Sequence, residues 1–163
     1  MKTTLNAIRA CAPCASGWAK LLSHLGKTRA NNKPLSLITI LDSNGLDDAL
    51  WALRAVDGHD REKRLYAVWC VRQVEHLLTD QRSRDALEVS ERFARGRATR
   101  EELDAARAAA DAAYATADAA YVTATAAAAA AAADAAYAAQ SAEFRRVCEC
   151  VDAGRDPYPE ANV

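Results

Sequence analysis

The chain has 163 residues, 51% of them hydrophobic, which is enough to bury one core and favours a single domain, 1–163. Its formal net charge of −1 excludes a strong overall attraction to nucleic acid or to a membrane surface. The charge is unevenly spread, because residues 1–98 hold 16 Lys and Arg against 11 Asp and Glu, whereas residues 99–163 hold 5 against 11. The first part is therefore basic (+5) and the second acidic (−6).

The sequence shows no signal for export or for membrane insertion. Its first 18 residues lack a long apolar region, and the alanine-rich run is interrupted by Asp118 and Asp134 and is too weakly apolar to insert. We therefore predict a cytoplasmic protein with no membrane partner. The five cysteines are an odd number, which favours free thiols in a reducing compartment.

The first segment, 1–33, is defined less clearly by its sequence than the rest. Pro13 is suited to open a helix, which carries apolar residues around Leu21 and ends at Gly26. A polar linker, GKTRANNK, follows.

Residues 34–97 are predicted to form the core helices. Pro34 precedes the branched run LSLITIL, which would also suit a strand, but a lone strand has no partner in this sequence. We therefore favour a short helix that begins at Pro34 and ends at Asn44-Gly45. The next helix, LDDALWALRAV, begins with Asp47 and Asp48 in its first turn, where carboxylates stabilise a helix.

Two further helices complete this segment. DREKRLYAVWCVRQVEHLL has the broadest apolar face in the chain and is predicted to be central and to continue to Leu78. SRDALEVSERFARG follows and ends at Gly96. Trp51 and Trp69 lie in apolar helices, so we expect both in the core.

The alanine-rich segment, 98–150, begins with the capping box TREE, in which Thr99 and Glu102 cap each other's backbone. No Gly or Pro follows until after Val147, and one continuous helix would be roughly 70 Å long. A compact domain of this size has a radius of gyration of only about 15 Å, so the segment must protrude, bend or fold back. Residues 151–163 form a tail.

The large residues of this segment change face along the helix. Tyr114 and Tyr121 fall on one stripe, whereas Tyr137 and Phe144 share a second stripe on another side. Two explanations stay open, a break near 122–125 and an unbroken helix that changes neighbours.

Three carboxylates, Asp104, Asp111 and Asp118, repeat every seven residues beside the first tyrosine stripe. Arg107 is placed to pair with Asp111 at i,i+4. The ridge is interpreted as a solvated face that keeps the alanine helix soluble, with an acidic edge for a basic partner as the alternative. Alanine also suits close helix packing, which leaves a homodimer open.

Cysteine and basic residues supply the candidates for chemistry. Cys11 and Cys14 form a CxxC motif, but the βαβ context of a redox site is missing. Together with Cys148 and Cys150 they are the candidates for a four-cysteine zinc site. The preferred interpretation is that these are buried thiols or thiols without a chemical role. The cluster of Arg54, Arg61, Lys63 and Arg64 would suit phosphate or an acidic partner, although a solvated helix face is preferred.

No pattern of a catalytic site emerges from the sequence. The three histidines are scattered, no phosphate-binding glycine loop occurs, and no helix-turn-helix signature supports reading of nucleic acid. We therefore predict no catalytic residue, no cofactor and no enzymatic activity.

Three stretches together resemble a known family: SLITILDSNGLDDALWALRAV, LYAVWCVRQVEHLLTDQRS and VSERFARGRATREELDAARAAADAAY. They are similar to the alanine-rich proteins of bacteria and their phages that are named immunity proteins. The resemblance covers about residues 35–139 and leaves CAPC outside. It implies a bacterial-cell protein that binds and neutralises a toxin, and it transfers no functional residue. A phage-encoded member would suit counter-defence, as anti-CRISPR inhibitors do.

We predict an all-α bundle of about six or seven helices, with a long C-terminal alanine-rich helix or helical hairpin. The predicted function is a non-enzymatic inhibitor that binds a protein target, a nuclease or nuclease complex. The alternatives are a nucleic-acid-associated protein that uses the basic half, which we disfavour, and a zinc or redox protein that uses the cysteines. The candidate partner-binding residues are Asp104, Asp111, Asp118, Tyr114, Tyr121, Arg61 and Arg64.

Overall fold

A computed structural model describes residues 1–117 and 126–160, with the side chains of 113–117 and 126–132 left out. It confirms the all-α prediction, because the chain is 69% helical, and the described part has eight α-helices and one small sheet. The chain divides into two compact units. Unit 1 comprises Met1–His59 and the chain from Ala135 onward, and unit 2 lies within Asp60–Asp134. That the two behave as one domain stays a prediction.

Unit 1 contains most of the short elements. In chain order they are β1 (Lys2–Thr4), α1 (Leu5–Ala10), α2 (Ala15–His24), β2 (Pro34–Ser36), α3 (Leu37–Asn44), α4 (Leu46–Ala52), a 3-10 helix (Leu53–Ala55) and the later part of α8 (Ala126–Asp152). Unit 2 contains α5 (Asp60–Arg72), a 3-10 helix (Glu75–Leu77), α6 (Gln81–Ala94) and α7 (Arg100–Ala117).

The two strands correct the expectation that the branched run after residue 33 has no strand partner. β1 and β2 pair antiparallel, with Thr3 opposite Leu35. Pro34 therefore belongs to a strand instead of opening a helix, and α3 begins three residues later, where the Ser36 hydroxyl accepts a hydrogen bond from the Ile38 N–H at 3.2 Å. The strand was missed because three residues carry no periodicity and the partner lies 32 residues away.

The amino terminus is fixed within unit 1. The ammonium group of Met1 donates to Asp152 Oδ1 at 2.7 Å and to the carbonyl oxygen of Cys148 at 3.3 Å. The Met1 side chain is 2% exposed. Segment 1–33 is therefore ordered by contacts with the far end of α8, and these contacts hold β1 in place.

Apolar side chains of α1, α3, α4 and α8 form the core of unit 1. The largest of its fully buried residues are Leu5, Leu37, Ile40, Leu46, Phe144, Val147 and Cys148. The two residues of the second predicted stripe, Tyr137 and Phe144, have different roles in unit 1. Phe144 enters the core, whereas Tyr137 is 41% exposed and its hydroxyl accepts a hydrogen bond from the Leu46 N–H at 2.8 Å. Tyr137 thus caps the start of α4.

Gly45 lies at the sharp junction between α3 and α4, and its replacement by alanine is expected to destabilise unit 1 by about 1–3 kcal/mol. Its φ of 98° is strained for any residue with a Cβ, and an added Cβ would lie 3.2 Å from the Tyr137 hydroxyl oxygen. Thermal denaturation measures the change. Gly26→Ala is the control, because Gly26 has a φ of 60° but open space around it. Equal losses for the two variants would contradict a role for the Tyr137 contact.

Unit 2 packs α6 against both α5 and α7. Its buried side chains are Leu65, Tyr66, Val68, Leu87 and Leu103. The predicted capping box is confirmed: the Thr99 N–H donates to Glu102 Oε2 at 2.7 Å, and the Glu102 N–H donates to Thr99 Oγ1 at 3.2 Å. The hydrogen bond from the Thr99 backbone lowers the pKa of Glu102, so the charged form of the box persists to a lower pH than that of an ordinary glutamate.

The central helix is shorter than predicted. α5 ends at Arg72, where Val74 donates its N–H to the carbonyl of Val71, three residues back, and the chain tightens into the 3-10 helix. Leu78 therefore lies beyond the helix, and Val71 is 37% exposed. Trp69 is only partly buried and stacks on Tyr66 with ring centroids 6.5 Å apart.

The question of a break in the alanine-rich segment falls outside the described residues, since these omit 118–125. Asp118 and Tyr121 lie in that stretch, and the side chain of Tyr114 is likewise not described.

Candidate partner-binding groove

Unit 2 carries a basic groove along α5, α6 and α7, with a volume of about 710 Å³. We call it the arginine groove. Its lining residues are Asp60, Arg61, Lys63, Arg64, Ala67, Ala86, Ser90, Phe93, Ala94, Arg100, Leu103 and Arg107. Five of these twelve are cationic and one is acidic, so the groove carries an excess of positive charge.

Three arginines from two helices define the groove. Arg64 is on α5, whereas Arg100 and Arg107 lie two turns apart on α7 and so share one face of that helix. The guanidinium carbon of Arg64 is 5.0 Å from the centroid of the Phe93 ring, and that of Arg100 is 4.9 Å from it. Phe93 on α6 therefore positions two of the three cations by cation–π contacts.

The positive charges in the groove act on one another. Partial burial, and then the charges of Arg107 and Arg100, lower the pKa of the Arg64 guanidinium, while Asp60 opposes the change. Within the described ranges, no ion pair joins Arg64, Arg100 or Arg107 to a carboxylate. The folded protein therefore holds like charges together without neutralising them, which a bound anion would relieve.

Neighbouring arginines of unit 2 behave differently. Arg72 donates to Glu75 and Glu91 at 2.9 Å, and Arg95 also contacts Glu91, at 3.1 Å. The hydrogen bond from Arg72 is the main cause that lowers the pKa of Glu91. Arg92 pairs with Glu102 at 2.8 Å. Each of these arginines therefore has a carboxylate partner. Arg64, Arg100 and Arg107 of the arginine groove differ from them, since no ion pair of the described residues includes these three.

Apolar surface accompanies the charge. The floor of the groove includes Leu103, which is 1% exposed, and the ring of Phe93, which is partly buried. Elsewhere in unit 2, Val74 and Leu77 are 40% and 66% exposed, and Val71 lies on the same stretch. Exposed aliphatic side chains are common singly on protein surfaces, and they mark a binding surface where they form a contiguous patch.

The structure divides the predicted partner-binding residues. Arg64 and Arg61 both line the arginine groove. Asp104 and Asp111 are exposed on α7. The expected Arg107–Asp111 pair is not among the ion pairs of the described residues; Arg107 instead lines the groove, where its charge acts on Arg64 of α5. Arg54, grouped with Arg64 in sequence, belongs to unit 1, where it lies over Trp51 at 4.9 Å.

Sequence reasoning missed Phe93, Arg100 and Arg107 as site residues. The spacing of seven between Arg100 and Arg107 indicates a shared helix face, and this signal was available. Their approach to Arg64 was not, since it depends on how α6 packs against both neighbouring helices.

The cysteines differ in exposure and are not assembled into one site. Cys14 is exposed, whereas Cys148 is fully buried, and burial raises the pKa of the Cys148 thiol to about 11. In the part of the chain that is described, no group of three or more His, Cys, Asp or Glu side chains is arranged to hold a metal ion.

Thiol labelling is expected to separate Cys14 from Cys148 sharply. At about pH 8 the raised pKa leaves Cys148 with roughly 100-fold less thiolate than an ordinary cysteine, and burial blocks the reagent as well. Alkylation of the native protein followed by peptide mass spectrometry should modify Cys14 first and Cys148 only after denaturant is added. Rapid native labelling of Cys148 would contradict the packing of α8 in unit 1.

No helix among the described residues is both long and apolar enough to cross a membrane. Comparisons with protein-family models, with curated proteins and with solved structures found no match to this chain.

Proposed function

We propose that this chain is a non-enzymatic inhibitor that binds a protein target, of the immunity or phage counter-defence type, and neutralises a nuclease or nuclease complex. The observation that carries the proposal is the arginine groove, in which Arg64, Arg100 and Arg107 converge without a carboxylate partner among the described residues. An inhibitor that acts by binding needs a fixed, charged surface, and three packed helices supply one.

The chemistry of the groove favours a carboxylate-bearing segment of the target. Guanidinium groups bind carboxylates with two parallel hydrogen bonds, and arginine next to an aromatic ring is a common centre of binding energy at protein interfaces. A nuclease that holds metal ions exposes clustered carboxylates at its active site, because Mg²⁺ prefers oxygen ligands. Occupation of such carboxylates by the groove would displace the metal or block the substrate.

Nucleic acid is the second candidate, and the same arginines favour it, since phosphate also accepts bidentate hydrogen bonds. Two features support the protein target more strongly. Val71, Val74 and Leu77 add exposed aliphatic surface to unit 2, which suits a protein partner and not a phosphate backbone. The chain as a whole is also close to neutral, with a net charge of −1.

The test uses purified proteins encoded beside this gene, with nucleases taken first. Isothermal titration calorimetry measures binding to each candidate, and a cleavage assay measures inhibition at increasing ratios of the chain to the nuclease. We expect inhibition that is complete near one chain per target. Added DNA substrate should relieve the inhibition only to the extent that it competes with the chain for one site. Binding without inhibition would contradict the proposal.

A parallel titration separates the two candidates. A fluorescent duplex of about 20 base pairs is added to the chain alone, and anisotropy is followed between about 50 and 200 mM salt. Tight binding of the duplex, lost steeply as salt rises and lost in Arg107→Gln, would support the nucleic-acid candidate over the inhibitor. We expect weak binding of the duplex at every salt concentration.

A further inference from the structure

Unit 1 contains a second recess, separate from the arginine groove, with a volume of about 90 Å³. We call it the tryptophan cavity. It is lined by apolar residues of α1, α2, α3 and α4, by the indoles of Trp18 and Trp51, and by the polar groups of Cys14, Asn44 and Asp48. Asp48 is half-buried and is the one carboxylate among these lining residues.

That carboxylate is held in a fixed position. Asn44 Nδ2 donates to Asp48 Oδ2 at 2.7 Å and to the carbonyl oxygen of Gly17 at 2.8 Å. Gly17 brings the backbone of α2 directly against the acid, because a Cβ at this position would lie 2.7 Å from Asp48 Oδ2. The structure therefore fits a glycine and an asparagine around Asp48 so that its carboxylate is positioned beside the cavity.

One side of the carboxylate has no described partner. Among the hydrogen bonds of the described residues, Asp48 accepts only at Oδ2, and none reaches Oδ1. No described cation pairs with Asp48 either, although Arg54 lies nearby in sequence and covers the Trp51 ring. Since no buried side-chain oxygen of the described residues lacks a hydrogen-bond partner, Asp48 Oδ1 is accessible from solvent and open to a bound donor.

The second indole offers a face for a cation. Arg54 already occupies the Trp51 ring, at 4.9 Å from its centroid, whereas no described cation lies over Trp18. A cation between Trp18 and Asp48 would gain a cation–π contact and a charged hydrogen bond at once. The volume of about 90 Å³ is well above the roughly 10–15 Å³ that one water molecule needs, and it leaves room for a short alkyl chain that ends in an ammonium group.

We propose that the tryptophan cavity binds an alkylammonium group, with the ammonium on Asp48 Oδ1, the alkyl chain on the apolar wall and Trp18 as the aromatic face. This ligand is either a small free amine or the side chain of a lysine on a bound protein. The proposal does not depend on the arginine groove, since the two sites lie in different units.

The test is a titration of the full chain with n-butylammonium chloride, followed by NMR shifts of the Trp18 indole N–H and by calorimetry. We expect saturable binding in the millimolar range, as befits a ligand of five heavy atoms. n-Butanol, which has nearly the same shape and no charge, should bind at least about tenfold more weakly. Equal binding of the alcohol and the ammonium ion would overturn the proposal.

Two variants test the residues. Asp48→Asn keeps the shape of the side chain and should weaken n-butylammonium binding at least about tenfold while leaving n-butanol unaffected. Trp18→Leu should weaken the ammonium ion by about threefold to tenfold through loss of the cation–π contact. Circular dichroism first establishes that each variant is folded. Unchanged ammonium binding in a folded Asp48→Asn protein would overturn the proposal.

The source of the ammonium group is resolved with two blocked tripeptides, acetyl-Gly-Lys-Gly-amide and its norleucine counterpart. Tighter binding of the lysine peptide than of n-butylammonium would assign the cavity to a protein lysine. Exclusion of the lysine peptide, with n-butylammonium still bound, would assign it to a free amine.

Discussion

Replacing Phe144 by alanine is expected to lower the free energy of unfolding of unit 1 by about 3–5 kcal/mol. The ring is 2% exposed on α8, so its removal takes apolar surface from the core and leaves a cavity that neighbours fill only in part. A small domain has a total stability of roughly 5–15 kcal/mol, so the variant should lose a large part of it. Urea denaturation followed by tryptophan fluorescence measures the loss, because Trp18 and Trp51 lie in unit 1.

The matched control is Leu77→Ala, which also truncates an apolar side chain to alanine. Leu77 is 66% exposed in unit 2, so its loss should change stability by less than about 0.5 kcal/mol. If the two variants shifted the midpoint equally, Phe144 would not be a core residue and the placement of α8 in unit 1 would be wrong.

Replacing Arg64 by glutamate is expected to weaken binding of the protein target by about 100-fold or more. The substitution removes one of three converging cations and sets a carboxylate against the carboxylates of the target. Arg64 contacts the Phe93 ring and is partly buried, so a new charge there is poorly screened. Calorimetry with the identified nuclease gives the dissociation constant, and the cleavage assay gives the loss of inhibition.

The control is Arg29→Glu, which changes the net charge equally at an exposed site between α2 and β2. Its effect on binding should stay within about threefold, since isolated surface charges contribute little. Equal weakening by both variants would show that net charge, and not the groove, governs binding.

A milder change separates binding from stability at the same position. Arg64→Gln should weaken binding of the target. The melting temperature of the variant should stay the same or rise, because the folded protein no longer holds a positive charge at position 64 near Arg107 and Arg100. A marked fall in melting temperature would identify Arg64 as a structural residue.

Local features of the fold followed from the sequence, and features built from distant partners did not. The Thr99–Glu102 box and the glycine stops after α2, α3 and α6 depend on a few adjacent residues. These residues determine where each helix begins or ends, whatever the helix packs against. β1 has only three residues and exists because β2 lies beside it. No pattern within the strand itself could indicate that pairing.

The arginine groove shows the same limit for function. Counting charges along the chain assigned Arg100 and Arg107 to the acidic half and Arg54 to the basic cluster with Arg64. Packing reverses this assignment, since α7 brings its arginines to α5 while Arg54 lies over an indole of the other unit. Charge that is dispersed in sequence becomes a site only through helix packing.

The contact of Met1 with Asp152 also means that unit 1 cannot be completed during translation until the end of α8 has been synthesised. Unit 2 comes from one uninterrupted stretch of chain, so its three packed helices are available once that stretch has left the ribosome. Unit 1 needs both β1 and the end of α8, and the stretch that contains unit 2 is synthesised between them. The nascent amino-terminal helices must therefore wait with their apolar faces uncovered until Phe144 and Val147 arrive, and this interval is when chaperones and proteases have access to them.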